Sequence, residues 1–116
     1  MITSIHSYGG VTATVYVMSK GEKIPRHQHP FPHTTSVAAG RSEVEIYDSL
    51  STRFTMATGG NPWELPPNID HEIRALVDGT VVVNMAVGSS AAIAAPGPAA
   101  QDGGVALHDG TVVNAA

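Results

Sequence analysis

The sequence predicts a small all-β protein in which short antiparallel strands form a sandwich or a barrel. Its clearest strand covers residues 11–18, where valine and alanine alternate with threonine, tyrosine and methionine at the period of two typical of strands. No segment shows convincing helical periodicity, and twelve glycines and eight prolines favour many short strands. Turn signals separate further candidate strands at 24–29, 33–39, 43–48, 52–57, 71–76 and 80–87.

Length and composition indicate one globular domain with a modest core. The chain has 116 residues, of which 42% are hydrophobic and 14% are charged. A formal net charge of −4 without a basic run argues against nucleic acid or an anionic membrane as a partner. No run approaches the roughly 18 apolar residues of a membrane-spanning helix, and the N-terminus lacks a signal-peptide pattern. A cytoplasmic location is therefore expected.

Several kinds of chemistry are excluded by what the sequence lacks. It contains no cysteine, which rules out disulfides, thiolate metal ligands, iron–sulfur clusters and a cysteine nucleophile. A Walker-type glycine loop, a Gly-x-Ser-x-Gly elbow and a paired-carboxylate motif are also absent. Histidine must therefore carry any metal chemistry.

The composition divides the chain into a domain at residues 1–90 and a tail at residues 91–116. The tail begins with an alanine-, proline- and glycine-rich stretch typical of a linker. Beyond it, residues 105–108 and 111–113 flank Asp109-Gly110, a preferred turn pair, and thus resemble a short β-hairpin. A small barrel has sheet edges that need cover, so we expect a homodimer in which this tail covers an edge.

The most informative motif is a set of histidines between two glycines. Five residues separate Gly21 from His27, His29 follows two positions later, three residues precede His33, and six more precede Gly40. In a strand, His27 and His29 would lie on the same face, about one ligand spacing apart. Imidazole is the commonest metal-binding side chain near neutral pH, so this spacing indicates a metal site.

A second motif supplies a fourth histidine from a distant part of the sequence. Gly60 is followed after five residues by Pro66, and the run from there ends in Asn68, Ile69, Asp70 and His71. Two separated segments could thus deliver four imidazoles to one ion.

Together the two motifs resemble the conserved motifs of the cupin superfamily over residues from about 11 to 88. The resemblance implies a single-domain antiparallel β-barrel of the cupin type, also called a double-stranded β-helix or jelly roll. It places metal ligands on His27, His29 and His71, with His33 where the family usually has glutamate. Asn68 replaces the second motif's glycine, a mild change because asparagine tolerates a left-handed backbone better than most residues.

The resemblance and the residues predict one divalent transition metal bound by His27, His29, His33 and His71. Iron or manganese is favoured, with nickel, copper, cobalt or zinc as alternatives. Four neutral imidazoles leave the site with its full double positive charge, which suits an anionic small-molecule substrate. A six-coordinate ion would keep two open positions, whereas four ligands on tetrahedral zinc would leave none. Cupins with all-histidine sites include oxygenases, so dioxygenase chemistry on a small enolizable or acidic molecule is the leading hypothesis.

Two other functions remain open at this point. One is a non-catalytic ligand-binding or sensing cupin in which the metal is structural, and the other is a lyase or isomerase that uses the metal as a Lewis acid. Glu64 is a weak candidate for an acid or base, because it precedes Leu65 and two prolines at the expected cavity mouth. His6 and His108 lie in terminal segments without partners at ligand spacing and are left outside the site.

Overall fold

The computed structural model describes residues 1–87, which form two antiparallel β-sheets without a helix in this part of the chain. The first sheet has five strands in the order β1-β2-β9-β4-β7, and the second has four in the order β3-β8-β5-β6. The strands are β1 (Ile2–Tyr8), β2 (Val11–Met18), β3 (Lys23–His27), β4 (His33–Ala39), β5 (Arg41–Tyr47), β6 (Thr52–Ala57), β7 (Trp63–Leu65), β8 (Asp70–Ala75) and β9 (Thr80–Val87).

The all-β antiparallel class predicted from the sequence is confirmed, but the sheets are not closed into a barrel. The pairing explains the difference, since the strand ladders within residues 1–87 form two separate sets. Strand β9 lies between β2 and β4 and pairs with both, and β8 lies between β3 and β5 and pairs with both. The described part is therefore a sandwich of two sheets.

Alternating side chains fill the space between the sheets. Their apolar members form one cluster contributed by both sheets, and no helix is needed to cover it. The buried members are Tyr16, Met18, Ile24, Val37, Val44, Met56, Ile73, Ala75 and Val82.

Gly40, the glycine that ends the first motif, links β4 to β5 where the two sheets meet. Its φ angle is +79°, and an added Cβ would lie 2.6 Å from Oγ1 and 2.8 Å from Cα of Thr80. A larger residue would strain the backbone and collide with a neighbouring main chain. Glycine is thus required at this turn between sheets.

The predicted tail lies outside the described residues. The domain boundary, the hairpin around Asp109-Gly110 and the covering role of residues 91–116 therefore stay predictions. No helix in the described part is long and apolar enough to span a membrane.

Candidate metal centre

The fold brings the four motif histidines together between the two sheets. His27 ends β3 and His71 lies opposite it on β8, so both come from the four-stranded sheet. His33 begins β4 in the five-stranded sheet, and His29 lies in the connection between β3 and β4. All four side chains are buried, with exposed fractions of 5% or less.

Three of the four histidines form a compact group. One ligand nitrogen from each of His27, His29 and His71 lies within 4.8 Å of the others. The ring centroids of His27 and His71 are 4.3 Å apart, and those of His29 and His71 are 5.1 Å apart. Such mutual proximity is what a shared metal ion requires.

His33 stands at the side of this group. Its ring centroid lies 4.8 Å from that of His29 and 5.4 Å from that of His71. Of the four ligands predicted from the sequence, the structure thus places three in a compact triad, with the fourth imidazole, His33, adjacent to it from the opposite sheet.

Backbone carbonyls fix the orientation of the triad. Nδ1 of His27 donates to the carbonyl of Pro25 at 2.6 Å, that of His29 to Phe31 at 2.8 Å, and that of His71 to Ile69 at 2.9 Å. A carbonyl can only accept, so each neutral ring carries its proton on Nδ1 and has its lone pair on Nε2. This is the usual arrangement of histidines that bind a metal.

His33 is held by side chains instead of by a carbonyl. The Thr35 hydroxyl donates to Oδ1 of Asn84 at 2.7 Å, and its oxygen lies 3.1 Å from Nδ1 of His33. Because the hydroxyl proton is engaged by Asn84, the hydroxyl oxygen accepts from His33. The Thr35–Asn84 pair thereby assigns the same tautomer to His33 as the carbonyls assign to the triad.

Two ring nitrogens of this site lack a protein partner. Nε2 of His33 and Nε2 of His71 are buried without a hydrogen-bond partner. A buried polar atom without a hydrogen-bond partner destabilises the folded chain. Two such nitrogens close to further imidazoles indicate that one bound metal ion is the partner they share. These donors fit a divalent transition metal.

Burial keeps the imidazoles neutral. It is the first cause that lowers the pKa of His29 to about 4, with the positive charge of a protonated His27 as the second. The pKa values of His33 and His71 also fall well below the ordinary 6.5, again through burial and then through neighbouring imidazoles. The neutral form is the one that binds metal.

The second motif is tied to the first at Asn68. This residue has a φ angle of +63°, a left-handed backbone conformation that asparagine tolerates better than most residues. Its backbone N–H donates to the carbonyl of His29 at 2.8 Å. The loop that carries His71 is therefore fixed directly against the loop that carries His29.

The stiff Pro30-Phe31-Pro32 connection also orients His29. The ring of Phe31 stacks on that of His29 with centroids 4.4 Å apart and an angle of 7° between the planes. The same residue supplies the carbonyl that binds Nδ1 of His29. Stacking and hydrogen bonding together restrict the ring to one orientation.

Glu64 lies apart from the histidine group. It is exposed and pairs with Thr34 in the register of β7 and β4, whereas its neighbour Leu65 is buried opposite His33. The side chain of Glu64 therefore points to the outer face of the sheet. It nevertheless reaches a cleft of about 190 Å³ that borders His33 and is lined by Pro32, His33, Thr34, Glu64, Met85, Ala86 and Val87.

The sequence reasoning did not identify Asn84 as part of the site. The available signal was a single amide in the otherwise apolar strand 81–87, at a position that the alternation of β9 turns inward. Thr35, two residues after His33 and thus on the same strand face, is fully buried. Its link to Asn84 depends on strand pairing, since the two residues lie opposite each other on β4 and β9.

We expect Thr35→Val to weaken metal binding by about 10-fold, because it leaves Nδ1 of His33 without an acceptor. Thr35→Ser keeps the hydroxyl and should bind metal nearly as well as the unaltered chain. Equilibrium dialysis against a divalent ion measures both affinities. Equal affinity of the valine variant and the unaltered chain would show that the hydroxyl does not support the site.

Comparisons with known proteins agree with this architecture. The sequence matches no protein-family model, and no curated protein matches it. Among solved structures, a conserved protein of unknown function from Streptococcus pyogenes has a TM-score of 0.61 and 22% identity, over 75% of this chain and 73% of that one. Oxalate decarboxylase from Bacillus subtilis, a protein with Mn(II) centres, has a TM-score of 0.63 and 19% identity.

The match to the decarboxylase covers 70% of this chain but only 22% of that enzyme. At such identities the likeness concerns the fold, and the fold is that of the cupins. The cupin resemblance predicted from the two histidine motifs is therefore confirmed at the level of architecture.

Proposed function

We propose that this chain is a small metalloenzyme that binds one divalent transition metal and uses it for dioxygenase-type chemistry on a small acidic or enolizable molecule. The observation that supports metal binding most strongly is the common orientation of the four imidazoles. Each has its Nδ1 engaged by a protein acceptor, which leaves Nε2 as the metal-binding atom. His27, His29 and His71 would hold the ion, and His33 would complete the set from the opposite sheet.

The charge of the donor set supports an anionic substrate. The compact group consists of three histidines without a carboxylate, and the neighbouring fourth donor is also an imidazole. When bound, a divalent metal would supply a Lewis acid that lowers the pKa of a coordinated acid. Neutral ligands leave the whole charge of the ion available to an enolate or carboxylate.

The surrounding residues limit what can enter. Ile73 and Val37 are buried on the same strand faces as His71 and His33, so apolar side chains continue the wall of the site. Such a wall excludes water and strengthens electrostatic interactions at the metal. The cleft of about 190 Å³ beside His33 has room only for a small molecule.

Iron and manganese are the ions that we favour. Both accept imidazole nitrogens in six-coordinate geometry and would keep positions open for a substrate. The structural likeness to a decarboxylase with Mn(II) centres supports manganese and a carboxylate substrate. It also supports the second candidate, a metal-dependent lyase, for which the same acidic substrate would bind without the need for oxygen.

A non-catalytic role is the remaining alternative. The hydrogen bonds that fix the four imidazoles through Nδ1 would equally suit a structural ion in a ligand-binding or sensing protein. Glu64 would then be a surface carboxylate, whereas in an enzyme its place at the cleft beside His33 would suit an acid or base.

Oxygen consumption tests the proposal and separates these alternatives. The full chain is loaded with iron(II) or manganese(II) and mixed with a panel of small dicarboxylic acids and enols in an oxygen-electrode cell. We expect uptake that requires both metal and substrate and that His71→Ala abolishes. Turnover that continues without oxygen would favour the lyase or isomerase. Stable metal binding without turnover of any panel compound would favour the non-catalytic protein.

A further inference from the structure

The cleft beside His33 lies where two neighbouring strands of the five-stranded sheet end at different points. Strand β4 begins at His33, and its first partner on β9 is Met85, opposite Thr34. Strand β9 continues past this pair through Ala86 to Val87. A further pair of β4 and β9 residues would fill the space beside these two positions, where strands normally lie about 4.8 Å apart. The cleft is found in this place instead.

The cleft connects the two faces of this sheet. His33 and Ala86 are buried on the inner face, where the ring of His33 lies beside the other imidazoles. Glu64 and Met85 are exposed on the outer face. One end of the cleft therefore borders the candidate metal centre, and the other end is open to solvent.

Glu64 is the one carboxylate that lines the cleft, and no lysine or arginine lines it. The sequence has five glutamates, and the four others form ion pairs with the N-terminus, lysine or arginine. Within residues 1–87 no such partner is found for Glu64. Its negative charge is therefore available to a cation that a ligand brings into the cleft.

We propose that the cleft binds the far end of the substrate and that this end carries an ammonium group. The inference rests on the proposed function, in which the metal centre holds the carboxylate of a small acid. From that end a short alkyl chain passes Pro32, Ala86 and Met85, and the ammonium group reaches Glu64. The substrate class is thus a short-chain amino acid with its two charges at opposite ends.

The volume and the lining of the cleft suit such a molecule. About 190 Å³ has room for about six groups of the size of a water molecule, which matches a few methylene groups and one amino group. Sites for small molecules combine apolar walls with a few polar groups that fix orientation. Here the apolar walls contact the alkyl chain, and Glu64 fixes its end. This role requires the charge of Glu64 and no transfer of a proton.

Calorimetric titration of the full chain loaded with manganese(II), without oxygen, tests the proposal. The ligands are straight-chain acids of four to six carbons with an amino group at the far end, each compared with the same acid without the amino group. Shorter amino acids are left out because they can chelate the metal through both groups. At the best-fitting length, we expect the amino acid to bind about 5-fold more tightly than its partner, as one exposed ion pair allows.

Two variants show whether Glu64 causes this preference. Glu64→Gln keeps the size of an exposed side chain and removes its charge, so the preference for the amino acid should disappear. Glu43→Gln, which neutralises a carboxylate on the outer face of the other sheet, is the matched control and should keep the preference. Because Glu64 and the metal are fixed in place, the preference should also be largest at one chain length.

The outcomes separate this inference from the proposed function. Equal binding of each amino acid and its partner acid, or a preference that survives Glu64→Gln, would overturn the ammonium site and leave metal-bound acids in place. If no acid bound more tightly to the metal-loaded chain than to the metal-free chain, the acidic substrate of the proposed function would fail, and the ammonium site with it.

Discussion

Replacement of His71 by alanine is expected to weaken metal binding by at least about 10-fold, because metal affinity depends on each ligand at least as strongly as on the groups that orient it. His71 is fully buried and its ring is adjacent to those of all three other histidines. It also joins the second motif to the first, so its loss leaves a site built from a single segment. Metal content after equilibrium dialysis, measured with a thermal melt of the same sample, checks this expectation.

The matched control for His71→Ala is His6→Ala. His6 lies exposed on β1 with Ser4 as its hydrogen-bond partner, and its removal takes away an imidazole without touching the site. Metal content should fall only in the His71 variant. A folded His71→Ala chain with the metal content of the unaltered chain would refute the assembled site.

The metal-free chain is expected to lose much of its stability on mild acidification. In the unfolded chain histidines have a pKa of about 6.5. In the folded chain the pKa of His29 is about 4, and those of His33 and His71 also lie well below 6.5. Between these values the unfolded chain binds protons that the folded chain does not bind. Stability is therefore present above about pH 6.5 and is lost as the pH falls towards about 4.

Each such histidine contributes a slope of up to about 1.4 kcal/mol per pH unit in that range. Urea unfolding of the metal-free chain at a series of pH values measures the total slope. The variant His33→Leu removes one of the titrating groups and should flatten the curve. A free energy of unfolding that does not change between about pH 7 and 4 would contradict the buried neutral imidazoles.

This expectation changes the pH window that the sequence alone suggests. Unperturbed imidazoles predict that protons compete with the metal below about pH 6.5. The lowered pKa of His29, about 4, means that in the folded chain this ligand is already deprotonated well below that point. We therefore expect the folded chain to keep its metal below pH 6.5 and to release it when acidification unfolds the chain.

Much of the fold could be read from local pattern. Strands predicted at 11–18, 33–39, 52–57 and 80–87 have the observed bounds, and the other three are displaced by one or two residues. Strand β1 was missed because isoleucine, serine, histidine and tyrosine share its outward face and blur the alternation. Strand β7 was missed because it has three residues and lies between prolines. Both depend on pairing with β2 and β4, which local pattern does not contain.

It was harder to predict from the sequence which face of a strand points into the core. Alternation divides β2 into two sets but does not tell which set is inside, and valines would ordinarily be assigned to the core. The structure turns them outward and buries Tyr16 and Met18 with the two threonines. Likewise, motif spacing identified the histidines, whereas the difference between the triad and His33 arises from their placement on opposite sheets.

X-ray absorption spectroscopy of the metal-loaded full chain would show whether these histidines bind one metal ion, since it counts the ligands of the ion without reference to activity. We expect one ion per chain, with at least three imidazole nitrogens among its ligands and a spectrum that loses imidazole scattering in His71→Ala. Oxygen ligands alone, or a spectrum that is identical in the two proteins, would contradict this expectation.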